Sequence, residues 1–279
     1  MSKTMSRREF VGTFGAFAGM IALTGCGSSA GGNKAATSAA ASTAAETGDL
    51  GLVSAGKLTI GVSPDFPPFD NMENGNYVGL DIDLAKDLAD KLGLEVEYKN
   101  LQFDAIVPAV AAGGQVDLGI SGITVEPDRE KQVNFSDSYY IDDQCIVVMK
   151  DNTSVTADDQ SALNVAGVTI AVQSGTTGES YAKENFPNAT TQPYGNATDC
   201  FAAMQAGQAQ AVVTNKAVGK QMIADAYTDA QVVKEIATGE EYACAVSKDN
   251  DALLSAVNDA IKQLQDDGKL DALVKKYLG

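Results

Sequence analysis

Arg129 stands where a small anion could be held. It closes the segment Ser121-Gly122-Ile123-Thr124-Val125-Glu126-Pro127-Asp128-Arg129, in which a buried-looking strand runs into a helix whose first turn suits Pro127. Such a junction offers backbone N–H groups to an anion. Thr124 adds a hydroxyl, and the planar guanidinium of Arg129 can take a carboxylate in two parallel bonds. These are the parts of a carboxylate receptor. They are equally the parts of a helix cap with a surface arginine.

A second junction, Gln173-Ser174-Gly175-Thr176-Thr177-Gly178, again places backbone donors and hydroxyls at a helix N-terminus. It lacks the lysine of a phosphate loop, and a plain strand-to-helix turn would look the same. Phe66 and Phe103 each follow a predicted strand, at the end where open α/β sheets bind ligands. There the two rings could grip a ligand side chain, or each could pack into the core.

The elements that position these residues alternate strand and helix. A β-rich run over 57–63 precedes a helix over 81–92, in which Leu84, Leu88 and Leu92 repeat on one face before Gly93. A strand over 94–98, a helix over 104–112 and a strand over 115–120 follow. After the polar stretch 151–159 a second round begins, with strands at 168–172 and 209–214 and helices at 177–185, 198–206 and 216–226. A strand over 241–246 and two helices end the chain, the first with Leu253, Val257, Ile261 and Leu264 on one face. Alternation of this kind predicts parallel α/β sheets, and two similar rounds predict two lobes.

The chain of 279 residues carries a net charge of −17, which disfavours a nucleic-acid partner. It has no histidine, and Cys145, Cys200 and Cys244 are too scattered for metal-ligand spacing, so a metal site is not expected. Nothing in the motifs implies a cofactor. The odd number of cysteines leaves at least one thiol unpaired in a single chain, and burial as small apolar residues is the default for all three.

The N-terminus reads as a targeting segment: Lys3, Arg7 and Arg8 precede a Gly/Ala/Phe-rich apolar run too short to span a membrane. Ser6-Arg7-Arg8-Glu9-Phe10 resembles a twin-arginine export signal, though an ordinary secretion route fits as well. Leu23-Thr24-Gly25-Cys26 resembles the lipobox at which bacterial lipoproteins are cleaved and acylated. Residues 1–25 are thus expected to be a signal peptide and Cys26 the acylated first residue of the mature chain. The Gly/Ser/Ala/Thr-rich stretch that follows, to residue 54, is expected to be a flexible tether, with a root-mean-square reach of about 25 to 30 Å.

Five motifs occur in order: 62–69 (with Ser63 and Phe66), Gly79-Leu80-Asp81-Ile82-Asp83-Leu84-Ala85, 122–129, 135–140 and 173–179. Together they resemble the polar amino-acid-binding proteins of bacterial ATP-driven importers, solute-binding family 3, over nearly all of the chain from residue 57. The resemblance implies a two-lobed periplasmic-binding-protein-like (type II) α/β fold. Residues 55–138 and 243–279 would form lobe 1 and 144–238 lobe 2, with hinge crossings at 139–143 and 239–242. It implies a monomer that passes an amino-acid-like ligand to an ABC permease and ATPase, held to the membrane by its lipid anchor. Arg129 would clamp the ligand carboxylate with Thr124, Ser121 and Gly122, Phe66 and Phe103 would be the ring pair, and lobe 2 would supply Gln173, Thr176 and Thr177.

Two departures bear on the ligand. Relatives carry an aspartate for the ligand ammonium where this chain has Asn215, so another acid serves or the ligand lacks an ordinary α-ammonium. Asp142 and Asp143, in the first crossing, are the candidates, solvated hinge charge being the alternative. Ser63, where some relatives place an acid, favours a neutral ligand side chain. The resemblance also puts Cys145 and Cys244 on neighbouring strands just beyond the hinge crossings, close in space, with or without a disulfide between them. Cys200, four residues from Met204 on an apolar helical face, is expected to be a buried free thiol.

The rival functions are a cyclohexadienyl-dehydratase-like enzyme of the same fold and a sensor for a membrane signalling partner. The first needs a positioned acid, for which Glu126, Glu179, Asp142 and Asp143 qualify. If Cys26 carries the anchor, Cys26→Ala protein should leave the membrane fraction and appear as secreted protein or retained precursor. Unchanged membrane fractionation contradicts the lipobox reading.

Overall fold

The computed structural model describes residues 49–279. The expected signal peptide, Cys26 and the tether up to residue 48 lie outside the described residues. The end of the expected tether does not hang free. Leu50 is buried and its carbonyl accepts from Asn250 Nδ2, while Val53 N–H donates to Asp117 Oδ1 at 2.7 Å. Residues 50–54 are therefore packed against the domain, Leu50 supplying an apolar contact.

The first half runs β1 (Lys57–Val62), the short strands β2 (Asp65–Phe66), β3 (Asp70–Glu73) and β4 (Asn76–Val78), then α1 (Leu80–Leu92) and β5 (Glu95–Asn100). It continues through α2 (Phe103–Ala112), β6 (Leu118–Gly119), α3 (Pro127–Glu130) and β7 (Val133–Phe135). Leu84, Leu88 and Leu92 are buried on α1 as their spacing requires, and Gly93 ends the helix in a left-handed turn at φ 68°. Pro127 occupies the start of α3, where its missing N–H costs nothing.

The long strand β8 (Tyr140–Met149) then leads into the second half. This comprises β9 (Thr169–Gln173), α4 (Thr177–Asn185), β10 (Thr190–Tyr194), α5 (Ala197–Gln205), β11 (Ala211–Asn215), α6 (Lys216–Asp225) and β12 (Ala230–Tyr242). The chain returns through β13 (Ala245–Ser247), α7 (Asp251–Asp266) and α8 (Lys269–Leu278). Leu253, Val257, Ile261 and Leu264 are all buried on α7.

Two five-stranded sheets result, in orders β5-β1-β6-β13-β7 and β10-β9-β11-β8-β12, beside the small antiparallel sheet β2-β3-β4. The predicted parallel sheets are mixed. β1 pairs in parallel with β5 and β6, and β9 with β10 and β11, but β13, β8 and β12 join antiparallel. The reason is connectivity: β8 and β13 enter from the other half of the molecule rather than through a helix crossover, so the parallel direction is not imposed on them. By contrast, β12 follows β11 through α6, runs in the same direction as β11 and is antiparallel only to β8.

The strand expected over 241–246 is divided. Its start belongs to β12 in one sheet and its end to β13 in the other, with Ala243 and Cys244 between them. Where the chain crosses, Ala243 N–H donates to the Ile123 carbonyl at 3.1 Å and Ser136 N–H to the Cys244 carbonyl at 2.9 Å.

The cysteine pairing is corrected as well. Cys145, Cys200 and Cys244 are all buried and free. Cys145 lies within β8 opposite Thr214 and Glu235, whereas Cys244 lies past the end of β12, whose last residue Tyr242 faces Tyr140. The two thiols fall on opposite sides of the crossing and cannot meet. Cys200 is the buried thiol expected, its Sγ donating to the Asn196 carbonyl at 3.5 Å. Burial pushes the thiols of Cys145 and Cys244 up to about 12 and raises that of Cys200, so none is a nucleophile at neutral pH. In denaturant without reductant all three should take an alkylating label and in native buffer none, as read by peptide mass mapping.

Candidate functional site

The residues nominated from the two junctions come together where the two sheets' loops face each other. Thr124 and Arg129 arrive from the stretch between β6 and β7, Thr177 from the first turn of α4, and Asn215 from the end of β11. Arg129 is buried, with its guanidinium carbon 5.3 Å from the centre of the Phe103 ring. Its Nη1 donates to the Thr124 carbonyl at 2.8 Å and its Nη2 to the Gly175 carbonyl at 2.9 Å, while Nε pairs with Glu126 at 3.1 Å. A guanidinium has five N–H groups, so one on each terminal nitrogen is left for a ligand. Burial lowers the pKa of Arg129, and the charges of Glu126 and Glu240 work against that shift.

The Thr124 hydroxyl donates to Glu240 Oε2 at 2.9 Å, the Thr177 hydroxyl to the same oxygen at 2.8 Å, and Asn215 Nδ2 to it at 3.2 Å. Gln144 Nε2 donates to Glu240 Oε1 at 2.9 Å and to the Thr177 hydroxyl oxygen at 3.0 Å. Glu240 lies on β12, after an irregularity between Ile236 and Glu240, and faces Asp142 of β8.

Asp142 and Asp143 do not reach this cluster. Asp142 is buried rather than solvated: it accepts from the N–H groups of Asp143 and Ala217 and from the Tyr242 hydroxyl, and so caps the start of α6. Asp143 pairs with Lys216 and accepts from the Gly239 N–H. Both candidates for the ammonium acceptor are thereby committed elsewhere.

Ser121 and Gly122 are also committed. The Ser121 hydroxyl donates to Asp70 and accepts from the Ser63 N–H, and the Gly122 N–H donates to Asp81 Oδ2 at 2.6 Å. The Gly122 N–H and the Ser121 hydroxyl, expected to face an anion, are taken by two buried carboxylates behind the loop. Gly122 has φ +56°, and a Cβ there would press on Phe66, so the loop needs glycine. Phe66 and Phe103 are both buried but sit in different clusters: Phe66 contacts Phe69, with ring centres 6.1 Å apart, and Phe103 lies under Arg129.

Thr176 is a cap. Its hydroxyl donates to the Gln173 carbonyl and accepts from the Glu179 N–H. Gln173 Nε2 reaches Asp65 Oδ1 at 3.5 Å and the Gly195 carbonyl at 3.4 Å, and Ser63 Oγ donates to the same Asp65 oxygen at 3.3 Å. Burial pushes the Asp65 carboxyl up to about 6.

Residues 58–279 match the family described as bacterial extracellular solute-binding proteins, family 3. The chain belongs to that family. It is 33% identical over 260 residues to the arginine-binding extracellular protein ArtP of Bacillus subtilis, covering 92% of each chain. An ancestral arginine-binding protein bound to glutamine is 37% identical with a TM-score of 0.75, over 80% of this chain and 98% of that one. The ancestral amino acid-binding protein AncCDT-1, described as a precursor of cyclohexadienyl dehydratase, is 38% identical with a TM-score of 0.74, over 80% and 96%. The fold shared with these neighbours is the two-lobed periplasmic-binding type. Among the described residues no helix is long and apolar enough to cross a membrane.

Sequence reasoning missed Glu240, Gln144, Asp70 and Asp81. Glu240 stands in the segment read as the returning hinge crossing, and an acid at a crossing was weighed only for the outgoing strand. Asp81 fell within one of the motifs that carry the resemblance, but its carboxylate was given no role.

Asp70 and Asp81 are fully buried. Burial, then the negative charge of Asp81, drives the Asp70 carboxyl well above its ordinary range. Burial pushes Asp81 up to about 7, against the opposing pull of the Gly122 N–H and the Tyr139 hydroxyl. The chain has no histidine, and Asp81 and Asp65 are pushed into the range near neutrality. The folded protein holds protons that the unfolded chain has already released, so unfolding free energy should fall as pH rises from about 5 to 8. Denaturant titrations across that range should show the decline, and Asp70→Asn should flatten it by removing one member of the pair.

Proposed function

We propose that the chain is an extracytoplasmic receptor that captures an amino acid or a close analogue and delivers it to an ABC importer. The observation that carries this reading is the gathering of one buried guanidinium, two hydroxyls and an amide from both lobes into one polar cluster. Arg129 would take the ligand carboxylate on its two remaining N–H groups. Thr124 would assist from lobe 1, and Thr177 and Asn215 would join as the lobes close. Phe66, Phe103, Ser63 and Gln173 would bound the ligand side chain. Ser121, Gly122 and Thr176 would act on the site indirectly, by shaping the loops that carry Thr124 and Thr177.

The lobes on this reading are 55–138 with 243–279, and 144–238, joined at 139–143 and 239–242. The strand membership of the two large sheets supports the division. Both sides of the site come from one chain, in keeping with a monomer. Arginine and glutamine are the first ligands to test, since relatives are described as binding them. Anchoring through Cys26 would hold the receptor beside its permease.

A purely binding role is favoured over dehydration by the state of the nominated acids. Glu126 is paired with Arg129, Glu179 with Lys183, and Asp143 with Lys216, while Asp142 caps a helix, so none is placed as a proton donor to the cluster. AncCDT-1, itself described as an amino acid-binding protein, fits the same view. A thermal-shift screen against the amino acids should give one clear stabilisation, about 2.7 kcal/mol at a hundred times the dissociation constant. Arg129→Ala should weaken that ligand by about 3 kcal/mol, roughly a hundredfold, through loss of a charged bidentate contact. Titration calorimetry showing unchanged affinity in Arg129→Ala would remove the proposed site.

A further inference from the structure

We propose that Glu240, on the returning strand, receives the ammonium group of the ligand, and so selects α-amino acids over their α-hydroxy counterparts. The inference rests on the amino-acid-receptor reading above and assigns one residue within it.

The Glu240 carboxylate is bound by four neutral donors: Thr124, Thr177 and Asn215 on Oε2, and Gln144 on Oε1. Among the described residues no lysine or arginine forms an ion pair with it, although its field reaches Arg129. Its negative charge is thus held in place by dipoles and left without a cation. Oε2 is crowded by three donors, whereas Oε1 has one and keeps capacity for another. A part-buried carboxylate fixed in this way favours a positively charged partner that arrives from outside.

The arrangement around Thr124 matches the charge pattern of one small molecule. The Thr124 carbonyl accepts from Arg129 and its hydroxyl donates to Glu240, so a single residue separates a fixed cation from a fixed anion. An α-amino acid carries its carboxylate and ammonium on one carbon and can present each to the opposite pole. The nearby aspartates cannot replace Glu240, since Asp142 is spent on the start of α6 and Asp143 on Lys216. Asn215 contributes an amide that orients the carboxylate and adds no charge. The irregularity in the β8–β12 ladder between Ile236 and Glu240 sets the register in which Glu240, rather than a neighbour, stands opposite Asp142 at the crossing.

The test measures binding of L-arginine and L-glutamine, each beside its α-hydroxy analogue, to wild type, Glu240→Gln and the double variant Glu240→Gln/Asn215→Asp. Glu240→Gln keeps the shape and removes the charge. It should weaken the bound amino acid by about fiftyfold and change the α-hydroxy analogue by less than about threefold. The double variant returns a carboxylate to the contact 3.2 Å away and should recover most of the lost affinity. Asn215→Asp alone should weaken binding, because its carboxylate would face that of Glu240. Thermal unfolding of each variant confirms that it is folded. Unchanged or tighter amino-acid binding in Glu240→Gln overturns the inference, and tighter binding would mark Glu240 as a stand-in for the ligand carboxylate. If wild type binds no amino acid, the receptor reading fails and the assignment of Glu240 falls with it. If wild type binds and Glu240→Gln is neutral, only the assignment fails.

Discussion

The antiparallel ladder between β8 and β12 is the constraint on which both lobes and the site depend. It runs from Ala230 opposite Met149 to Tyr242 opposite Tyr140 and carries the chain between the two large sheets in both directions. Backbone hydrogen bonds fix its register, and the register decides which side chains stand at the crossing. Asp142, Asp143, Gln144 and Glu240 all occupy that short stretch, and their different fates follow from it. Asp142 faces the start of α6, Asp143 meets Lys216, and Gln144 and Glu240 meet Thr177 and each other. Two strands side by side can also bend together without breaking either sheet, which suits a hinge between lobes.

Negative charge is handled differently on the two sides of the binding loop. Behind it, Asp70 and Asp81 are removed from water and satisfied by the Ser121 hydroxyl and the Gly122 N–H. Their desolvation disfavours two full charges and raises both carboxyls above the ordinary carboxylate range. This inward engagement uses up donors that a strand-to-helix junction would otherwise show to an anion. On the proposed reading, the burden of holding a ligand carboxylate would then fall on Arg129 and the hydroxyls, through side chains rather than the junction backbone.

Family membership says little about the bound molecule, because function on a shared fold lies in a few site residues. Neighbours of comparable similarity are described as arginine-binding, as bound to glutamine, and as a precursor of a dehydratase. In this chain the amide at Asn215 donates to the acid at Glu240, which stands on β12 rather than at the end of β11.

The sequence by itself determined the helices and the order of the motifs. The leucine spacing of α1, the stop at Gly93, the apolar face of α7 and the start of α4 at Thr177 are local features, set by periodicity and capping within one turn or two. It also pointed to Arg129, Thr124, Thr177 and Asn215, whose motifs sit at strand ends. Tertiary structure alone decided three matters that depend on which distant segments pair. One is the split of 241–246 between two sheets, which placed Cys145 and Cys244 on opposite sides of the crossing. Another is the burial of Asp70 and Asp81 against Ser121 and Gly122, far apart in the chain and joined only when β1 lies beside β6. The third is the identity of the acid beside Asn215. Asp142, Asp143 and Glu240 are alike in chemistry and in nearness to a hinge, and only the strand register determines which of their carboxylates meets the cleft.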